Sequence, residues 1–447
     1  MGGSLTHSGL ENGYWGLMVV TYPFISGLVA GSFIVSSLSH VFHQRRFDAL
    51  APLAVLASLA LLIAAPVTVL GDARQPSNAL ELLTRDHLPY SPLSMFIVIW
   101  LTYIALMLAE LYFAFRVTNA RIGEGRGWWA GLHRVLALGS SDTSEPGARR
   151  DRKVLFGLSC AGIVLAFLFH GYIGFVFGAT KARSLWATPL MPVLFIVSAI
   201  VSGIAFMWLV YVVVMRYVGR RADREVASGL LTYLALFLLL DLFLDAVDLL
   251  TSAVPEYAQG STYYAFYHLM LHGPFSFTYL GVQLGIGMVL PLVLWLVPVV
   301  RRSWLGGAVI SLAVLAGVYA MRWNVVLGGQ AESKVSSNTV VTTSVPLTGF
   351  DSLQTVLGVF GVAFLLFLLF SWLFPWRHAS EPTSASPLPP GPSTAARTPA
   401  IAHDEAPSAL PGAGLSSASS RGGAECQTSQ ASLLRGSCRR RSAGARS

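Results

Sequence analysis

Nine stretches of about 20 or more mostly apolar residues divide this chain, and they decide what it can fold into. A bilayer core about 30 Å thick is spanned by roughly 20 apolar residues in a helix. The runs are Tyr14–Leu38, Leu50–Leu70, Leu93–Phe115, Val154–Gly178, Pro189–Tyr217, Ser228–Leu250, Phe275–Val300, Leu305–Leu327 and Leu353–Phe374. Hydrophobic residues make up 54% of the 447 and charged residues only 12%. A soluble domain carries about 25% charge, so this chain lacks the charge to wet a surface of its own. That excludes an ordinary cytosolic enzyme and, despite a net charge of +8, a nucleic-acid binder. The fold expected is an all-α polytopic membrane protein.

Lys and Arg mark the cytoplasmic side of a membrane protein. The loops after spans 1, 3, 5 and 7 hold sixteen of them, eight between Arg116 and Lys153 alone. The opposite side has six: Arg74, Arg85, Lys181, Arg183, Arg322 and Lys334. The alternation predicts an outer N-terminus and a cytoplasmic C-terminus, which an odd number of spans requires. From Trp376 to the end, Ser, Pro, Ala, Gly and Arg dominate without apolar periodicity. Residues 376–447 are expected to be a disordered cytoplasmic tail; residues 1–375 form the transmembrane domain.

The outer loops are longer and more particular than the inner ones, which read as charged connectors. They include GDARQPSNALELLTRDHLPYSPLS (Gly71–Ser94), HGYIGFVFGATKARSLWATPLMP (His170–Pro192), STYYAFYHLMLHGP (Ser261–Pro274) and MRWNVVLGGQ (Met321–Gln330). A functional centre near the outer face is the economical reading.

Four acids lie inside the apolar runs, where ionisable groups are expensive and usually functional. Glu110 lies near the inner end of span 3. Asp241, Asp245 and Asp248 of span 6 stand at i, i+4 and i+7, on one helix face. Crowded carboxylates in a low dielectric cannot all carry charge, which suits a proton relay; neutralisation by Arg322 or by neighbouring helices is the structural alternative. Glu110 could carry protons from the cytoplasm, or instead pair with Arg116 or snorkel. Haem needs axial ligands and an iron–sulfur cluster about four cysteines. The three cysteines are scattered, and only His170, His268 and His272 fall in or beside spans. His268 and His272 have the spacing of a metal pair but no clear third ligand, so interfacial hydrogen bonding is the plainer reading. No haem, cluster or metal is expected in this chain. Gly27 and Gly31 give span 1 a smooth face for close helix contact.

The run TKARSLWATPLMPVLFIVSAIVSG (Thr180–Gly203) resembles the K-x-R-x-L-W-x-T-P-x-x-P-x-x-F-x-x-S-x-x-x-S-G pattern of the NrfD/PsrC family, the membrane subunits of polysulfide reductase-like oxidoreductases. Weaker matches are YPFISGLVAG (Tyr22–Gly31), GDARQPS with SPLS, HGYIG (His170–Gly174) and RWNVVLGGQ. The resemblance covers roughly residues 10–375. It implies two four-helix bundles, spans 1–4 and 5–8, with span 9 added. It also implies a respiratory subunit of the bacterial inner membrane that binds menaquinone or ubiquinone near the outer face. Electrons would pass to or from a four-cluster ferredoxin-like iron–sulfur subunit, which connects to a molybdopterin or multihaem catalytic subunit.

By the same resemblance Tyr172 takes the place of a fourth-helix tyrosine that holds a quinone carbonyl. Tyr22 stands where a first-helix His is usual; a phenol donates a hydrogen bond but is a poor proton acceptor at neutral pH, and His170 could take over the acceptor role. Arg322 could stabilise the reduced, anionic quinone, or pair with the Asp set. Asp72, Arg74, Lys181 and Arg183 are the candidates for subunit docking. A secondary transporter or ion channel using the intramembrane Asp residues is the rival reading, and a structural anchor that never touches quinone is a third.

Overall fold

In a computed structural model the described residues are 15–72, 91–181, 183, 185–256, 266–331, 345–349 and 351–376. Among them nine helices are long and apolar enough to cross a membrane. We number these α1 (Leu17–His40), α2 (Ala51–Gly71), α3 (Ser94–Gly123), α4 (Glu145–Gly178), α5 (Met191–Tyr217), α6 (Arg224–Thr251), α7 (Phe277–Leu296), α8 (Trp304–Ala331) and α9 (Leu353–Leu373). All nine expected spans are present, and no strand occurs among the described residues.

The helices alternate in direction. At the end where α1 begins, Trp15 bonds Gln330 at the close of α8, and the Met18 amide donates to Asp351 just before α9. At the other end, Gln44 after α1 donates to Tyr233 near the start of α6. We call these the Leu17 end and the His40 end. Helices α1 to α4 pack together, as do α5 to α8, and between the two bundles α1 and α4 meet α5 while α1 also meets α8. Helix α9 packs mainly on α2, so it is added to the first bundle. The two bundles touch backbone to backbone where α1 crosses α5. A Cβ on Gly31 would strike the Ala199 carbonyl oxygen, and one on Gly203 would strike the Gly31 backbone. Only glycine permits that approach. Gly287 and Gly317 make a matching contact between α7 and α8.

Several helices outrun their apolar stretch. Helix α4 starts at Glu145 rather than near Val154, because Ser144 caps it by accepting from the Gly147 amide. Its polar first turns are held by Arg116 of α3, whose guanidinium pairs with Asp151 at 2.6 Å and donates to Ser140 and the Asp142 carbonyl. In the preceding loop the Ser144 hydroxyl and amide both donate to Asp142, holding that exposed carboxyl below the usual carboxylate range. Between α3 and α4 the supposed connector contains a short helix, Trp128–Leu136, that the sequence reading missed. Trp128 and Val135 on it are exposed, and Trp129 packs on Trp372 of α9. Aromatic and apolar residues exposed at the end of a bundle suit a helix lying in the membrane interface.

The second bundle departs from α-helical winding. Phe266–Leu271, Phe277–Val289 and Asn324–Gly328 are π-helical. Such segments are uncommon and often mark functional positions.

Candidate functional site

Two groups of polar side chains lie toward the Leu17 end, one in each bundle, and a third set joins them. The joining set centres on Arg322. Its side chain comes from α8 and is 0% exposed. One terminal nitrogen donates to Ser198 Oγ at 2.6 Å and to the Phe195 carbonyl at 3.4 Å, both on α5. It also lies 3.1 Å from His170 Nε2 on α4. The guanidinium carbon sits 4.0 Å over the Phe195 ring, a cation–π arrangement. A guanidinium has only donors, so His170 Nε2 accepts. His170 Nδ1 then carries the proton and faces Ser26 Oγ of α1 at 3.3 Å. Gly27 leaves the imidazole its room, since a Cβ there would lie 3.2 Å from the ring. Arg322 and His170 together thus tie α1, α4, α5 and α8.

In the first bundle, Tyr22 of α1 and Tyr172 of α4 both pack on Phe96 of α3, with ring centroids 5.8 and 6.2 Å away. Phe169 stacks on the same ring at 5.4 Å. Both tyrosines are half-buried. Among the described residues neither hydroxyl has a hydrogen-bond partner. The structure therefore brings Tyr22 and Tyr172 to one aromatic cluster. His170 is directed elsewhere, with both ring nitrogens engaged by Ser26 and Arg322.

In the second bundle a cavity of about 110 Å³ lies between α6, α7, α8 and the segment leading into α5. Asp245, Asp248, Thr188, Tyr279, Gln283 and Asn324 give it its polar lining. Thr188 donates to Asp248 at 2.5 Å. Gln283 donates to Asp245 at 3.3 Å and accepts from Asn324 at 2.8 Å, and Asn324 accepts from Thr278 at 2.6 Å. The π-helical segments supply Phe266, Met270, Tyr279, Gln283, Asn324 and Val325 to the wall. Asp241, one turn deeper, is 1% exposed, and neither carboxyl oxygen has a partner among the described residues. The three aspartates share a face as the spacing predicts, and that face looks into the second bundle rather than at the tyrosines.

Glu110 stands apart, toward the His40 end. It is 0% exposed and accepts from Ser159 of α4 at 2.8 Å. The alternative of pairing with Arg116 is not realised, because Asp151 takes that guanidinium.

Of the docking candidates, Lys181 is exposed and Arg183 half-buried, donating to the Gln330 carbonyl at 3.1 Å. The Asp72 side chain and Arg74 lie outside the described residues. His268, in the π-helical segment Phe266–Leu271, and His272 just after it are exposed, and no group of three or more potential metal ligands occurs among the described residues.

The motif residues of the α4–α5 segment find each other's counterparts at the close of α8. The Trp186 indole donates to the Val325 carbonyl at 2.5 Å, and a Cβ on Gly329 would strike that indole. Gly174 and Gly178 let α4 lie against the Thr188–Pro192 backbone. Phe195 and Ser198 receive Arg322, and Gly203 makes the α1 crossing. Sequence reasoning had Thr188, Phe195, Ser198 and Asn324 in quoted motifs without a role for any of them. Gln283 was visible as a polar residue inside span 7. Nothing in the sequence singled out Phe96.

The family described as polysulphide reductase, NrfD, matches residues 7–333, which leaves α9 and the tail outside the match. A selenate reductase subunit of Mesobacillus selenatarsenatis is 30% identical over 322 residues, 70% of this chain and 73% of that protein. A putative dimethyl sulfoxide reductase membrane subunit of Halobacterium salinarum is 29% identical over 300 residues, 67% of this chain and 65% of that protein. The Hdr-like menaquinol oxidoreductase integral membrane subunit of Archaeoglobus fulgidus is 24% identical over 337 residues, 72% of this chain and 73% of that protein.

Proposed function

This chain belongs to the NrfD polysulphide reductase family, whose members are quinone-interacting membrane subunits of oxidoreductases, and on that premise we propose that it binds a menaquinone or ubiquinone head group at the Tyr22–Phe96–Tyr172 cluster. The observation that carries this reading is the pair of half-buried phenols on one aromatic ring, with no hydrogen-bond partner among the described residues. An apolar, aromatic wall with a few convergent donors is what a flat ring with two carbonyls requires. The quinone supplies two-electron, two-proton redox chemistry when bound.

The chain's own residues divide the work. Tyr172 and Tyr22 donate hydrogen bonds and fix the ring's position. Phe96 and Phe169 keep water from the apolar face. Arg322 holds a fixed positive charge between the bundles, which favours negative charge developing nearby. His170 orients Arg322 instead of receiving a proton, because its Nε2 lone pair already accepts from the guanidinium. Asp245 and Asp248, hydrogen-bonded to Gln283 and Thr188, together with Asp241 behind them, hold exchangeable protons between the Leu17 end and Arg322. Glu110 serves the His40 side in the same way.

The Leu17 end lies outside the cytoplasm, which the basic residues at the His40 end support. A four-cluster ferredoxin-like iron–sulfur subunit docks at the Leu17 end, where Lys181 is exposed, and links the chain to a molybdopterin or multihaem catalytic subunit. The relatives bear the names of oxidoreductase subunits, which leaves the transporter reading without support. The test is Tyr172→Phe in the assembled complex. Loss of one hydrogen bond to the quinone should lower quinone-linked turnover about tenfold or more, given roughly 1–3 kcal/mol for a buried partner left unpaired. Wild-type turnover would refute the site.

A further inference from the structure

The largest cavity among those described is not at the proposed quinone site. It lies at the His40 end of the first bundle, has a volume of about 780 Å³, and opens between the close of α1 and the starts of α2 and α4. Pockets of roughly 300–1,000 Å³ hold drug-sized ligands. Four cations line this one: Arg45 from the α1–α2 turn, and Arg149, Arg152 and Lys153 from the first turns of α4.

The acidic groups facing them do not cancel the charge. Asp48 also lines the cavity and accepts from Ser39. Glu110 closes the floor, fully buried, with Oε1 accepting from Ser159. Glu145 meets Arg149 and Arg152 at 3.5 and 3.0 Å, but all three side chains are more than half exposed. Exposed ion pairs of this kind are weak, so both arginines can exchange them for another anion. Among the described residues Arg45 and Lys153 have no ion-pair partner at all.

The wall beyond the cations is apolar. Pro52, Val55 and Ala114 line it, and Phe156 stands at its rim, 44% exposed. Phe156 also begins a stripe along α4 that continues through exposed Val164, Phe167, Leu168 and Phe175. At helical spacing these residues form one outward face. A basic pocket therefore opens at the head of a lipid-facing apolar strip.

We propose that this cavity is a binding site for an anionic phospholipid, with the phosphate head group held by Arg45, Arg149, Arg152 and Lys153 and an acyl chain lying along the α4 stripe. Basic pockets between helices at a membrane surface recognise such head groups by charge. The inference does not rest on the quinone reading, since none of these cations contacts the tyrosine cluster. The occupant is a lipid rather than a soluble phosphate because the charged pocket and the apolar stripe are continuous at Phe156.

The full chain, reconstituted in phosphatidylcholine vesicles containing phosphatidylglycerol and extracted gently, tests this by mass spectrometry of the lipid it retains. Wild type should retain phosphatidylglycerol in preference to phosphatidylcholine. Each basic residue near an anionic surface is worth about fivefold, so Arg45→Gln with Lys153→Gln should lower that preference by roughly 25-fold. The charge-preserving pair Arg45→Lys with Lys153→Arg should keep it, which separates lost charge from a damaged fold. Lys181→Gln, at the opposite end and outside the cavity, should leave the lipid preference as in wild type. Undiminished preference in the glutamine pair would overturn the proposal, and so would displacement of the lipid by inorganic phosphate, which would assign the pocket to a soluble anion.

Discussion

Arg322 carries a guanidinium to a place with no solvent, and its neighbours are arranged around that demand. Ser198, the Phe195 carbonyl and ring, and His170 each take part of it. A charge inside the membrane is tolerated when it is enclosed and hydrogen-bonded. Removing the imidazole should therefore act on stability before chemistry. We expect His170→Ala to lower the stability of the complex in detergent by about 1.5–3 kcal/mol, the range for hydrogen bonds to charged groups, with His170→Gln recovering part of it. An unchanged melting temperature in the alanine variant would show that Arg322 does not depend on His170. Asp245 tests the other arm. Asp245→Asn keeps the shape and the Gln283 contact but cannot release a proton, so quinone-linked turnover should fall severalfold with quinone still bound, whereas wild-type rates would remove the relay.

At this scale the sequence spoke unevenly. The intramembrane acids, Tyr22, Tyr172, His170 and Arg322 were all visible as polar or aromatic residues where lipid forbids casual ones. Their grouping was not visible, because helical spacing fixes which residues share a face and says nothing about which neighbour that face meets. Asp245 and Asp248 thus line a cavity of the second bundle, apart from the aromatic cluster of Tyr22, Phe96 and Tyr172.

The helices themselves were legible because bilayer thickness imposes a length that composition records directly. What hydropathy could not see was helix beyond the bilayer. Ser144 and the Arg116–Asp151 pair extend α4 through polar residues, and Trp128–Leu136 turns a supposed connector into an interfacial helix. The π-helical winding of Phe277–Val289 also leaves no mark in the apolar pattern. The crossing of α1 and α5 makes the clearest demand at this level. Gly203→Ala places a methyl group against the Gly31 backbone and should destabilise the chain by about 1–3 kcal/mol or more, the usual cost of overpacking. Gly361→Ala on α9 has nothing within 4 Å to meet and should stay within about 0.5 kcal/mol of wild type. Thermal inactivation of the two variants side by side checks this, and equal stability would contradict the close approach.

Over the whole molecule, two bundles share one buried arginine, and each has its polar group at the same end. The family match stops at residue 333, so α9 is an addition that packs on α2 without entering either group. Under the proposed function, the sidedness of the bundle would set on which side of the membrane electrons are exchanged. A phosphatase that is active only outside the cytoplasm, fused to the C-terminus, should be inactive, and activity would reverse the proposed orientation. The central claim is that the quinone lies in the first bundle and not in the acid-lined cavity of the second. A photoreactive quinone analogue, cross-linked to the assembled complex and mapped by peptide mass, tests it most directly. The account predicts adducts on peptides carrying Tyr22, Phe96 or Tyr172, suppressed by excess native quinone. Suppressible adducts confined to peptides carrying Asp245, Tyr279 or Asn324 would contradict it.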